Sequence, residues 1–145
     1  MRNFEIKTLE RTELVEITAE VQKAVWATGL QEGACVVYCP HTSAGLTIQE
    51  HADPDVVHDL LLWLNKHIPK ELPGFRHGEG NSDAHIKSAL IGSSLLVVVS
   101  GGKLVLGTWQ GIFFCEFDGP RKRSIIVQTI GNTPPNSHAE VAIPR

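Results

Sequence analysis

The sequence has no long apolar run. Runs such as "LLVVV" at 95–99 fall far short of the roughly 20 residues a helix needs to cross a bilayer, so no membrane span is expected. The opening "MRNFEIKTLERTE" is charged from the start and lacks the apolar core of a secretory signal. Cysteine is scarce, three in all. An odd, small number argues against a disulfide framework and fits a reducing compartment; a cytoplasmic location is the expectation. Excess positive charge is missing as well. The formal net charge is -3, which offers no general attraction to nucleic acid or an anionic membrane surface. There is no Gly-x-Ser-x-Gly elbow and no glycine loop of the P-loop or Rossmann type; "GGKL" at 101–104 reads as a turn between strands. Internal repeats and low-complexity segments are absent too.

What is present suffices for one domain. At 145 residues the chain reads as a single unit, 1–145, able to bury roughly 70% of its unfolded surface without a disulfide or metal. Cys35 and Cys39 lie in "ACVVYCP", which reads as a strand. Four residues along a strand is roughly 13 Å, too far for one bridge or one shared ion. Both are expected to be buried thiols.

Alternation of apolar and polar residues marks "NFEIKTL" as an opening strand; "ELVEI" is expected to be a second, short strand. Thr18 is the expected cap of a helix through "AEVQKAVWATG", stopped by Gly29. Strands "GACVVYCP" and "AGLTIQE" follow. Asp53 and Pro54 form a helix start, acid capping and proline first. Val56, Val57, Leu60, Leu61, Leu64 and Ile68 then form its apolar stripe. Asn81 or Ser82 is expected to cap a short helix, "DAHIKSALIG". The rest turns strongly β, with "SSLLVVVS", "KLVLGTWQ", "GIFFCEF" and "RSIIVQTIG". The expected fold is α+β: one compact domain of mixed, mostly antiparallel sheet with about three helices, followed by a tail at 132–145.

Seven histidines are many for such a chain. His51, His58 and His67 flank or lie on the second helix and His138 sits in the tail; surface or packing roles suit them. His41 begins "HTS" at a strand end, His77 lies in the loop "FRHGEGNSDAH", and His85 starts the third helix. Three imidazoles with an open fourth position would make a catalytic zinc site, with the loop glycines letting the backbone curl. Glu50 and Asp53 could orient these rings or act as general base. Trp109 and Gln110 suit stacking on, and hydrogen bonding to, a planar ring. Arg121 in "DGPRKR" is a candidate phosphate clamp. Ser43 and Asn81 complete the candidate substrate-binding set.

The runs "HTSAGLTIQEHADPDVVHDL", "RHGEGNSDAHIKSALIGSSL" and "GKLVLGTWQGIFFCEFDGPRKRSIIVQ" resemble the YjbQ-like proteins, also called the secondary thiamine-phosphate synthase family. The likeness spans about residues 3–131. It implies a homotrimer with polar pockets near subunit boundaries, and it strengthens the assignment of His41, His77 and His85 as metal ligands. It also implies a secondary activity joining a pyrimidine pyrophosphate to a thiazole phosphate, with release of pyrophosphate. The resulting expectation is a metal-dependent enzyme acting on a small phosphorylated, heterocyclic metabolite. Zinc is the metal favoured by the ligand type, while magnesium is usual for pyrophosphate chemistry. The alternatives are a zinc-dependent hydrolase using Glu50 or Asp53 as base, and a non-catalytic metabolite-binding trimer.

Overall fold

The structure, a computed structural model, describes residues 1–132. The tail beyond Asn132, with His138, lies outside the described residues. Two antiparallel sheets form the body. One has five strands in the order β1 (Arg2–Lys7), β8 (Lys122–Asn132), β3 (Glu32–Tyr38), β5 (Ser94–Ser100), β6 (Lys103–Leu104). The other has three, in the order β2 (Glu13–Glu16), β7 (Gln110–Glu116), β4 (Ala44–Glu50). Helices α1 (Thr18–Thr28), α2 (Pro54–His67) and α3 (Ser82–Ile91) complete the α+β domain. Among the described residues no helix is long and apolar enough to cross a membrane.

The main core lies between the sheets. Cys35 and Val37 of β3, Val97 and Val99 of β5, and Ile125 and Val127 of β8 point inward at alternate positions. They meet Leu46 of β4, Ile112 and Phe114 of β7, and Val21 and Val25 of α1. Each fully buried aliphatic or aromatic side chain here contributes about 1.5–3 kcal/mol. A second cluster, Leu64, Ile68, Ala84, Cys115 and Phe117, lies on the other face of the three-stranded sheet under α2 and α3. That sheet is therefore covered on both faces, which is why "IFFC" at 112–115 is apolar without alternation. All three cysteines are free and buried, Cys35 and Cys39 as expected; burial pushes the Cys35 thiol up to about 11 and Cys115 up to about 12.

Several local expectations change. Asp53 does cap α2, its carboxylate accepting from the Asp55 N–H at 2.9 Å. Thr18 does not cap α1: it is the first helical residue, and its hydroxyl accepts from the Ile112 N–H at 2.9 Å, tying the helix to β7. Asn81 holds the cap position of α3 without a side-chain cap, because its amide is drawn to Asp118 instead. The α2 stripe is only half realised: Leu64 and Ile68 are buried, while Val56, Val57, Leu60 and Leu61 are half-buried. "KLVLGTWQ" forms a strand over Lys103–Leu104, and its last residue, Gln110, opens β7.

Candidate functional site

Two connections cross between the sheets at the same end of the domain. One, residues 39–43, leads from β3 to β4; the other, residues 117–121, leads from β7 to β8. They are stitched by Phe117 N–H to Ser43 O at 3.2 Å and by the Arg123 guanidinium, which donates to Ser43 Oγ at 2.9 Å. Arg123, 3% exposed, faces Glu116, which is fully buried. Its Nε donates to Glu116 Oε1 at 2.9 Å, and the Thr8 hydroxyl donates to the same oxygen at 2.7 Å. The N–H groups of Phe117 and Asp118 meet the other carboxylate oxygen at 3.1 Å. Although burial opposes ionisation, these donors hold the Glu116 carboxyl below its ordinary value. Neither residue was singled out by sequence reasoning; the signal was two opposite charges at alternating positions that should face the core.

This pair sets up His41. The Ser124 N–H donates to His41 Nε2 at 2.9 Å, so the neutral ring carries its proton on Nδ1. Burial, together with the nearby Arg123 charge, lowers its pKa. His85 has the opposite tautomer. Its Nδ1 lies 2.9 Å from the Thr42 carbonyl, which can only accept, so Nε2 of the neutral ring keeps a free lone pair. His41, Thr42, His85, Ser88, Ala89, Gly92 and Ser93 line one open cleft of ≈ 380 Å³. Its floor depends on a close approach: a Cβ on Gly45 would stand 2.7 Å from the Gly92 carbonyl oxygen.

His77 stands beside His85, ring centroids 5.2 Å apart and edge to face, but lines a separate cleft with Phe75 and Ser82. Of the loop glycines, Gly80 adopts a left-handed φ of 70°, as a tight curl requires; Gly78 does not. Among the described residues, no three His, Cys, Asp or Glu side chains come together as a metal site. His41 Nε2 is already occupied by an N–H, so the expected His41–His77–His85 trio does not fit a metal. Ser43 is buried, its hydroxyl held by Arg123. Asn81 Nδ2 donates to Asp118 Oδ2 at 2.8 Å, and its buried Oδ1 has no partner among the described residues. Arg121 folds back on its own turn, Nε donating to the Asp118 carbonyl at 2.8 Å and one Nη to its carboxylate at 3.0 Å.

The remaining expected residues lie at the other end of β4. Glu50 is its last residue, roughly 20 Å along the strand from Ala44 at about 3.3 Å per residue. Glu50 and Asp53 line a cleft of ≈ 310 Å³ with Glu16, His51 and Phe113. His51, set aside on sequence grounds, lies there with Nδ1 2.9 Å from Glu16 Oε2. The Trp109 carbonyl accepts from the His51 N–H at 2.9 Å, and Gln110 Oε1 accepts from the Gly107 N–H at 2.7 Å. Trp109 itself is exposed. Within one chain, neither carboxylate reaches His41 or His85.

A family model described as "UPF0047 protein YjbQ-like" matches residues 2–132. The Bacillus subtilis UPF0047 protein YugU is 49% identical over 131 residues, covering 90% of this chain and 99% of that one. A UPF0047 protein of Methanocaldococcus jannaschii is 52% identical over 129 residues, covering 89% and 93%. The crystal structure of a YjbQ/UPF0047 family protein from Clostridium acetobutylicum superposes with TM-score 0.87 at 50% identity, covering 90% of this chain and all of that one. These relatives are described by family alone, as uncharacterised or without an activity. With no three-ligand metal cluster among the described residues, this overturns the expected metal-dependent enzyme, both as thiamine-phosphate synthase and as zinc hydrolase.

Proposed function

The chain belongs to the UPF0047 YjbQ-like family, and from that premise we propose that it is a homotrimer that binds a small phosphorylated metabolite in the His41–His85 cleft. One observation carries the binding reading: two histidines line one cleft with complementary free atoms. His41 retains Nδ1–H as donor and His85 retains Nε2 as acceptor. The hydroxyls of Thr42, Ser88 and Ser93 border the same space; those of Thr42 and Ser93 are further donors, while Ser88 spends its proton on the Ala44 carbonyl at 2.6 Å. Donors of this kind suit phosphoryl oxygens.

Self-association has separate support. The outward face of the five-stranded sheet carries Leu96 at 69%, Val98 at 57% and Ile130 at 55% exposure. Register places Val98 beside Ala34, and Ala34 beside Ile130, so the patch is continuous across central strands. An antiparallel sheet facing water is ordinarily polar there. The test titrates phosphate monoesters while following the imidazole proton resonances of His41 and His85. A saturable shift of both rings, lost in His85→Ala, is the expected result. If no ester moves either ring, the cleft is not the binding site.

A further inference from the structure

Helix α3 has a second polar face. Residues 85, 88, 89 and 92 turn toward the histidine cleft, whereas Asp83 and Lys87, four apart, lie on another side of the helix. Asp83 and Lys87 are each 1% exposed. Arg11, from the β1–β2 connection, grips the Asp83 carboxylate with both Nη atoms, at 2.9 and 3.0 Å. Lys87 Nζ donates to Asn65 Oδ1 on α2 at 2.8 Å and lies 3.4 Å from Asp83 Oδ2. With Thr12, Ile68 and Lys70 these residues line a cleft of ≈ 200 Å³. That is below the roughly 300–1,000 Å³ usual for a whole small-molecule ligand.

The polar groups facing this space are unbalanced. Arg11, Lys70 and Lys87 are cations, and Asp83 is the one carboxylate among the lining residues. Asp118 stands behind Arg11 at 3.9 Å, which still leaves three positive against two negative charges. Both Asp83 oxygens are already taken by Arg11. A lysine ammonium has three N–H groups, and Lys87 finds two acceptors among the described residues. The third N–H belongs to a buried group, where an unmet donor is costly. Asn65 Nδ2 donates to Thr12 Oγ1 at 3.2 Å, so the Thr12 hydroxyl keeps its own proton to give. The cleft offers donors and positive charge, and its acceptors are spent.

We propose that Arg11, Thr12, Lys70 and Lys87 form a binding site for a compact oxyanion of the phosphate type, separate from the histidine cleft. The occupant is the free ion or the phosphoryl end of a small metabolite. Lys87 supplies a fixed, desolvated N–H at the floor, Thr12 a hydroxyl at the wall, and Lys70 a mobile charge at the exposed mouth. Desolvation of Lys87 makes its hydrogen bond stronger than a surface lysine could make.

The experiment titrates the full chain with inorganic phosphate, and in parallel with phenyl phosphate, at constant ionic strength. It follows the Lys87 side-chain nitrogen and the His85 ring by NMR. A saturable shift at Lys87 is expected, undiminished in His85→Ala and weakened on the order of tenfold in Lys70→Met and Thr12→Val. Neither substitution touches the buried Asp83–Lys87 pair: Lys70 is exposed and Thr12 half-buried, and a denaturation midpoint measured on each variant checks that it folds. Binding of phosphate alone assigns the free ion; binding of both assigns a phosphoryl group. No saturable shift at Lys87, or one indifferent to Lys70→Met and Thr12→Val, overturns the proposal. Loss in His85→Ala also overturns it, because the site would then be the histidine cleft.

Discussion

His41 shows how one backbone donor defines a side chain's chemistry. The Ser124 N–H at 2.9 Å occupies Nε2, so protonating that nitrogen would set one N–H against another. Burial and the Arg123 charge act in the same direction, and the folded ring's pKa falls below its ordinary 6.5. The unfolded chain therefore takes up this proton first as pH falls through about 6.5. The contribution of His41 to stability is complete above that value and is lost as pH falls through the lower, folded value. We expect the denaturant midpoint to drop between neutral pH and about pH 5.5, with a shallower slope in His41→Gln, whose amide oxygen can still accept from Ser124. Equal slopes in the two proteins would contradict this account of the ring. Glu116 and Asp83, also held below their ordinary values, add a separate loss in more acidic solution.

The elements owe their positions to close backbone approaches as much as to apolar burial. The Leu46 N–H donates to the Gly92 carbonyl at 3.0 Å, which docks the end of α3 on β4 and closes the floor of the histidine cleft. Gly45→Ala would press a methyl against that carbonyl. The expected cost is about 1–3 kcal/mol, measured by chemical denaturation, together with a changed His85 resonance. Gly78→Ala is the control: a Cβ there meets nothing within 4 Å, and its effect should stay within about 0.5 kcal/mol. Legibility in the sequence follows the same division. The alternation in β1, the β-rich runs of β3 and β8, and the Asp53–Pro54 start of α2 depend on neighbouring residues and could be read directly. Thr18 and Asn81 could not, because partners on β7 and at Asp118, distant in the chain, outcompete the local cap.

At the scale of the molecule, the candidate residues divide between the two ends of β4. His41 and His85 share one end; Glu50, Asp53, Trp109 and Gln110 occupy the other. A second copy packed on the outward sheet face is one way to bring unlike ends together, and the exposed Leu96, Val98 and Ile130 give that face its apolar character. Leu96→Lys places a charge within this patch without touching the inner core. For the proposed trimer, the expected result is a shift to monomer in light scattering while unfolding remains cooperative. A trimer that persists in Leu96→Lys and in Val98→Lys would locate the contact elsewhere.

Strand positions, the buried thiols, the capped start of α2 and the family resemblance were determined by the sequence alone, because each rests on short-range periodicity or on runs of adjacent residues. The tertiary structure decided which imidazoles share a cleft, which tautomer each adopts, and that Lys87 is buried. Those outcomes depend on where two sheet-crossing connections and two helices meet, and the partners involved, Ser124 for His41 and Asn65 for Lys87, stand far away along the chain.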